Sequence, residues 1–579
     1  VKQTAREWKN TLIDQGRVSI LSEETGIPAP VVCVLVAKGI DTAETIERFL
    51  NPRLSDLSDP FLIPGMRQAC DRIWQAIDQK HNIVIHGDFD ADGVTSTTLM
   101  VKVLRQLGGK VTAFLPHRIN DGYGLSQKGL ERCFNGKQVN LLITVDCGTN
   151  AQTALKYAAA RGVDVVVTDH HEVSGITEPV AAFVNPKTIN NPSVQALAGV
   201  GVAFKVCHAL VKAGLACTRP AVSGIDLRDY LDIVAAGTVA DVVPLLEENR
   251  ILVRHGLSRI NSKPNYGLRA LIEVAGINGV IDCYHLGFAI GPRLNAAGRM
   301  GSADPALELL LSDDHDQVLK IASELDLMNR ERKKAEEVVV QECVKLIDPF
   351  FDETKTFGIV VGQQDWHIGI IGIVAAGLCG KYRRPVVVIG FDEEGNGRGS
   401  GRSTESMDIV DVLKDCKDLL VSFGGHRMAA GLSIKKNCYE DFCLRFNQLC
   451  MAKLKDLDLS RVYHVDTWVD FREVDYKLLE YVNKLKPFGL SNPAPVFGTK
   501  CVDIIGSPKK IANKHLKMTL ASGGTQFEAI AFEMGDRAPP SGSIDVLFSL
   551  QENTYMGRNS LQLNIKDFRA AEKSKIYPD

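Results

Sequence analysis

The chain has 579 residues, too many for one hydrophobic core, and a usual domain size of roughly 100–200 residues predicts about three or four domains. Its 45% hydrophobic and 24% charged residues are ordinary for a soluble globular protein. A formal net charge of −3 excludes a globally basic nucleic-acid binder but leaves room for a local basic groove.

In chain order, the segment 1–60 opens with VKQTAREWKN, too polar to predict a signal peptide. The stretch LSEETGIPAPVVCVLVAKGIDTAETIERFLNP then reads as small helices packed on the domain that follows. From 61 to about 310, strand-like and helix-like stretches alternate. NIVIHGDFDADG (82–93) is a short apolar run ending in Asp88, Asp90, Asp92 and Gly93. LLITVDCGTN (141–150) ends in Asp146 and Gly148, and VVVTDHHE (165–172) ends in Asp169, His170, His171 and Glu172. Helical stretches at 96–108 and 151–162 separate them, each stopped by Gly. Strand alternating with helix predicts βαβ units and a parallel sheet, and in open parallel sheets ligands bind outside the carboxyl ends of the strands. Three strands therefore deliver Asp88, Asp90, Asp92, Asp146, Asp169, His170 and His171 to one sheet edge.

Carboxylates and imidazoles so crowded would repel and lose their charges unless divalent cations held them. Mixed oxygen and nitrogen ligands favour Mn²⁺, Fe²⁺, Co²⁺ or Zn²⁺ over Mg²⁺, and Asp146 could bridge two ions. Each motif alone is equally a polar loop start; their convergence favours a two-metal site. DLRDYLDIVAAGTVADVVPL (226–245) carries the domain on to Asp241.

One long helix is predicted at about 313–347, within a connector at 311–348. It has apolar residues at 318, 321, 325, 328, 335, 339 and 346, and Arg332 interrupts the stripe, which favours a spacer between lobes over a coiled-coil seam. A second strand–helix–strand unit occupies 349–455. It includes IGIIGIVAAGLCG (368–380), the most apolar long run, which is too short and too Gly-rich for a membrane span. Its GRGSGRS (397–403) and SFGGHRMAAGL (422–432) let backbone amides approach an anion, with Arg402 and His426 adding charge-assisted bonds. Gly-rich turns are otherwise just turns. From 462 to 579, short strands at near-regular spacing predict a small β-barrel. Lys509, Lys510, Lys514, His515 and Lys517 cluster on one hairpin, which suits single-strand binding but equally a solvated edge. The 14 cysteines lack CxxC spacing, so reduced thiols in a cytoplasmic protein are expected.

His86-x-x-x-Asp90-x-Asp92-Gly93, Asp146, the triplet Asp169-His170-His171 and Asp241 in VAAGTVADVVPL resemble the four motifs of the DHH phosphoesterase family. AIGPRLNAAGRM (289–300), GRGSGRS, SFGGHRMAAGL and KPFGLSNPAPVF (486–497) extend the likeness, in order, to the exonuclease branch specific for single-stranded DNA. Ser491 is the one departure, where Gly is expected. The resemblance implies an α/β protein: a parallel-sheet DHH catalytic domain, a long helix, a second α/β DHH-associated domain, and a C-terminal barrel of the oligonucleotide-binding (OB) type.

It also implies two Mn²⁺ (or Mg²⁺) ions. One would be held by Asp90 and Asp146 with His86 or Asp88, the other by Asp92, Asp146, His170 and Asp241. His171 is expected to point away from His170, as in an extended chain, and to work in the outer shell or on phosphate. Water activated by the cations would be the nucleophile, so no Ser or Cys is required. Arg293, Asn295 and Arg299 would contact substrate phosphates or the 5′ end, with a surface ion pair as their alternative role. Ser400, Arg402, Gly424, Gly425 and His426, with His367 beside them, would grip phosphates, and Lys509, Lys510 and Lys514 the distant strand.

The implied activity is 5′ to 3′ degradation of single-stranded DNA to mononucleotides in recombination and repair, by a cytoplasmic monomer without a membrane partner. Single-strand-binding protein and a helicase are its implied partners. The same ligands would also serve a phosphodiesterase of short oligonucleotides or cyclic dinucleotides, which needs no barrel. A non-catalytic scaffold is disfavoured because the full ligand set is present.

Overall fold

The computed structural model describes residues 6–571, apart from 119, 123, 176–178, 460, 556 and 557. Its first sheet has five parallel strands in the order Lys110–Phe114, Asn82–His86, Leu141–Val145, Asp164–Thr168, Ala182–Val184. Leu141–Val145 and the inner residues of its neighbours are buried on both faces, which is why they read as unbroken apolar runs. After Asn82–His86 the chain adds a strand on one side, then crosses to add Leu141–Val145 on the other. The crevice between these two strands is the switch point at which open parallel sheets take their ligands.

The helix after the first strand spans Ala91–Gln106, starting five residues ahead of the predicted 96 because Asp90 caps it, its Oδ1 accepting from Gly93 N at 3.0 Å. It packs against the helices Gly199–Ala216 and Leu231–Ala240. Among the described residues Gly199–Ala216, not 368–380, is the one helix long and apolar enough to cross a membrane, with a mean hydropathy of 1.4, and two thirds of it lies buried in this core.

The long helix runs His315–Ile347, about 50 Å at 1.5 Å per residue. Val318, Ile321, Ala322 and Leu325 belong to the first core, while Val339, Cys343 and Ile347 belong to a core of the next lobe. Arg332 is buried on the same side, paired with Glu336 at 2.6 Å and bonded to Asn329. That lobe holds a five-stranded sheet in the order Leu420–His426, Ala429–Lys435, Asn396–Arg402, Val386–Phe391, Ile359–Gln364, in which only the last two strands are parallel.

The C-terminal strands Phe497–Ile511, His515–Ser522, Thr525–Ala531, Arg558–Ala570 and Ile544–Tyr555 follow one another around a barrel, which the pairing of Phe497–Ile511 with Ile544–Tyr555 closes. Closure removes the exposed sheet edges. Ser491 has φ +61°, the conformation for which Gly is the expected residue, in the turn joining Gly489 to Asn492.

The N-terminal helices correct the expectation for 1–60. They share a core with the barrel rather than with the catalytic sheet: Val31, Leu35, Ile46 and Leu50 pack in one cluster with Phe471, Leu478, Phe497 and Phe548. The helix Ala29–Ala37 is apolar around nearly its whole circumference, so it must be covered on several sides. The strand Arg6–Asn10 pairs with Arg461–Val465, and Trp8 Nε1 donates to Asp567 Oδ2 at 2.7 Å. The catalytic lobe meets this unit through Arg250. Buried, it donates to the carbonyls of Phe49, Lys484 and Leu485 at 2.8–3.0 Å.

Candidate active site

The loop after the first strand, the end of the third and the residues beyond Thr168 meet at the switch point. Asp88, Asp90 and Asp146 offer oxygens within 4.8 Å of one another, as do the ligand atoms of Asp92, His170 and Asp241, and those of Asp146, His170 and His171. His170 Nε2 ties the groups together, at 3.1 Å from Asp146 Oδ1, 3.7 Å from Asp241 Oδ2 and 4.0 Å from Asp92 Oδ2.

The backbone is bent to make this convergence. Asp146 has φ +59° and Val242, next to Asp241, also +59°, conformations costly for non-glycine residues and concentrated at functional sites. Helix Gly199–Ala216 aims its N-terminus at Asp92, with Gly199 N 2.7 Å from Oδ2 and Val200 N 2.8 Å from Oδ1. Any side chain at Gly199 would collide, because a Cβ there would lie 2.6 Å from Asp146 Cβ. Gly93 is held as tightly, its virtual Cβ 2.4 Å from the Asp88 carbonyl oxygen.

Burial, then mutual repulsion, raises the carboxyl groups of Asp88, Asp92, Asp146 and Asp241 above their ordinary range. Burial pushes His170 down to about 4, leaving its nitrogen a lone-pair donor near neutral pH. Among the described residues Asp88 Oδ2 is buried without a hydrogen-bond partner, and so is His170 Nε2, whose 3.1 Å approach to Asp146 lacks hydrogen-bond geometry. Orphaned electron-pair donors of this kind, with crowded carboxylates beside them, fit a divalent-metal centre. The oxygen-rich set with one or two imidazoles fits Mn²⁺ or Mg²⁺.

Three expectations need correction. His86 does not join the cluster: its Nδ1 lies 3.7 Å from Cys147 Sγ and its ring packs on Phe114, because as the last residue of its strand it points into the sheet's flank. His171 does not turn away from His170. The strand ends at Thr168, strand alternation ends with it, and the two rings stand edge-on with centroids 4.6 Å apart. Asp169 supports that turn by accepting from Thr149 N and both histidine backbone amides, and it pairs with His171 Nδ1 at 2.7 Å. Burial opposes its charge, but these partners hold it at about 2. For His171 burial also opposes the charge, and Asp169 with Asp88 and Asp90 raises it above the ordinary value.

Arg293 is the third correction. It is paired with Asp326 on the long helix, 2.7 Å from Nη2, and donates to the Ala289 carbonyl, so it ties the first half of that helix to the first lobe in a largely buried pair. Asn295 Oδ1 accepts from Ala91 N at 2.8 Å, which steadies the Asp90–Asp92 loop. Arg299 lies deep beside that loop, bonded to the Gly369 carbonyl of the second lobe. Burial, together with the nearby charges of Arg118, Arg332 and Arg402, lowers it to about 10, while Asp90 opposes them. Arg402 donates to Ser400 Oγ at 3.0 Å.

Arg118 is a residue that sequence reasoning misses, because only the fold brings it near Arg299 and Arg402. Gly424, Gly425 and His426 lie exposed on the edge strand of the second sheet, and His367 Nδ1 accepts from Gly369 N. On the barrel, Lys510 pairs with Asp536 at 2.6 Å and Lys517 with Glu528 at 2.9 Å, while Lys509 and Lys514 are exposed.

Family models match three segments: the DHH family N-terminal domain over 82–238, the DHHA1 domain over 354–452 and the RecJ OB domain over 465–567. Single-stranded-DNA-specific exonuclease RecJ of Bacillus subtilis (strain 168) is 36% identical over 98% of this chain and 71% of its own length. The crystal structure of RecJ from Thermus thermophilus in complex with Mn²⁺ superposes with a TM-score of 0.83 at 28% identity, covering 98% of this chain and 80% of that one. Its complex with Mg²⁺ gives 0.77 at 27%, covering 98% and 79%. Likeness of this extent, with all three domain models met in order along the sequence, means that the chain belongs to the RecJ family.

Proposed function

We propose that the protein is a metal-dependent exonuclease that degrades single-stranded DNA from the 5′ end to mononucleotides, in recombination and repair. The observation that carries this reading is the pair of ligand groups at the switch point, sharing Asp146 and His170, in a chain that also bears an OB barrel. Asp88, Asp90 and Asp146 would hold one Mn²⁺ or Mg²⁺, and Asp92, Asp146, His170 and Asp241 the other. Two such ions supply an activated water and neutralise charge on the scissile phosphate.

The chain's own groups do the rest. Arg299, Arg402, Ser400 and Arg118 receive the terminal 5′-phosphate on the Asp90 side, which fixes polarity, since a terminal phosphate carries more charge than an internal one. Asp169 orients His171 toward the site, where its other ring nitrogen can meet a phosphate oxygen. Asn295 keeps Asp90 and Asp92 in place. Helix Gly199–Ala216 fixes both oxygens of Asp92. Lys509 and Lys514 hold the distant strand by counterion release. The free cysteines fit a reducing cytoplasm, where a helicase and single-strand-binding protein would supply and mark the substrate.

The test is a gel of long single strands labelled at either end, with Mn²⁺ or with chelator. The 5′-label should appear at once as mononucleotide while the 3′-labelled strand shortens step by step through a ladder of intermediates, and chelator should stop both. Release from the 3′ end, or hydrolysis confined to dinucleotides, would overturn the reading.

A further inference from the structure

An apolar groove of about 590 Å³ begins at the residues flanking Asp241 and runs toward the segment 486–494 that leads into the barrel. Val239, Ala240 and Val242 form its end at the metal site; Tyr284 and Phe288 form one wall and Leu490 the other. Of charged side chains only Asp282 and Lys486 line it. Large apolar groups are exposed here: Val242 is 65% exposed, Tyr284 66%, Phe288 67% and Leu490 51%. The Tyr284 and Phe288 rings stack, with centroids 4.9 Å apart and planes at 30°. The floor is tied down, since Leu245 N donates to the Leu490 carbonyl and a Cβ on Gly489 would meet Leu245 at 2.6 Å. Aromatic faces kept in water at this cost mark a binding surface.

We propose that this groove is a subsite for the bases of the strand on the 3′ side of the cut. The inference rests on the exonuclease reading and deepens it. The occupant follows from continuity, because the groove is lined by Ala240 and Val242, the two chain neighbours of Asp241, and so lies next to the place that the exonuclease reading gives the scissile phosphate. A wall of rings and aliphatic groups with few charges suits the π-faces of unpaired bases, not their phosphates. The helical run Leu286–Met300 spans the centre: Phe288 stands at its groove end, Asn295 touches the Asp90–Asp92 loop, and Arg299 reaches the arginine cluster about 16 Å further along. The two flanks of the metals therefore differ in kind. The cationic flank takes the terminal phosphate, and the apolar flank takes the bases that follow it. Bases paired in a duplex have no free faces to offer, so the groove also contributes to strand selectivity.

The test uses the full chain and the pair of substitutions Tyr284→Ala and Phe288→Ala, both on exposed side chains, with Phe288→Trp as the conservative variant. With Mn²⁺, the double substitution should raise KM for a single strand about ten-fold or more while kcat changes little. An abasic patch just inside the 5′ end should raise the wild-type KM by a similar factor and add nothing to that of the double variant; Phe288→Trp should restore both values. Anisotropy with chelator should show the same pattern in affinity. An unchanged KM, an abasic penalty undiminished in the variant, or an effect only on oligomeric mass by light scattering would overturn the subsite. Failure of the exonuclease reading is told apart by the wild type alone: it would leave the intact strand undegraded from its 5′ end.

Discussion

Gly199 faces Asp146 so closely that a Cβ on it would lie 2.6 Å from the aspartate's Cβ and Oδ1. The same residue donates its backbone N–H to Asp92. One glycine at a helix N-terminus thus sets the spacing between carboxylates assigned to both ions. Gly199→Ala should leave the fold intact and lower Mn²⁺ affinity by about 10–100-fold, the usual cost of disturbing the support of a metal site. Calorimetric titration with Mn²⁺ measures this, and unchanged affinity would mean that Asp146 is not placed by that contact.

Arg250 is buried with three carbonyl acceptors and no carboxylate, and burial lowers it to about 9. Arg250→Ala would empty the site of a buried guanidinium and take the side-chain donor from the Phe49 carbonyl, leaving the Lys484 carbonyl to Arg254 and the Leu485 carbonyl to Asn492. Stability should fall by about 3 kcal/mol. Thermal unfolding followed by circular dichroism checks it.

Asp567 anchors the N-terminal strand through Arg6 and Trp8 and also accepts from Arg537 of its own domain. Burial opposes its charge, yet these donors bring it below the ordinary carboxyl value. A carboxylate held lower in the folded state contributes stability above its unfolded value of about 3.9 and loses it as pH falls through the folded value. Wild type should therefore melt higher than Asp567→Asn at pH 7, and the gap should close below about pH 4. A gap that widened in acid would contradict the assignment.

Charge reversal on the barrel hairpin should act unequally. Lys509→Glu and Lys514→Glu should each weaken binding of long strands and flatten its salt dependence, because each phosphate contact released adds to the slope. Lys510→Glu should do less, since Asp536 already compensates that charge. Affinity measured across a salt series, without metal, separates the three.

Much of the architecture is legible in the sequence because buried parallel strands are unbroken apolar runs whose polar ends stand out. Asn82–His86, Leu141–Val145 and Asp164–Thr168 are visible on that ground. The outer strands are not, since Lys110–Phe114 is short and half exposed and Ala182–Val184 has three residues. The helix starting at Ala91 reads as starting at Ser96 because Asp90, Asp92 and Gly93 before it resemble a loop; Thr95, Thr97 and Thr98 are buried in it and bonded back to carbonyls four residues earlier. Apolar pattern says that Val31 and Leu35 are covered but not by what, so sequence alone puts the N-terminal helices on the wrong lobe. Gly199 and Arg118 carry no local signal at all; their roles come from contacts across the fold.

Asp146→Ala bears on the central claim most directly, because this carboxylate is assigned to both ions while the barrel and the arginine cluster lie elsewhere. On one preparation, with Mn²⁺ present, turnover of single-stranded DNA and affinity for it should be measured together. The account predicts that turnover is abolished while the melting temperature and much of the strand affinity are kept. Near-wild-type turnover in this variant would contradict it.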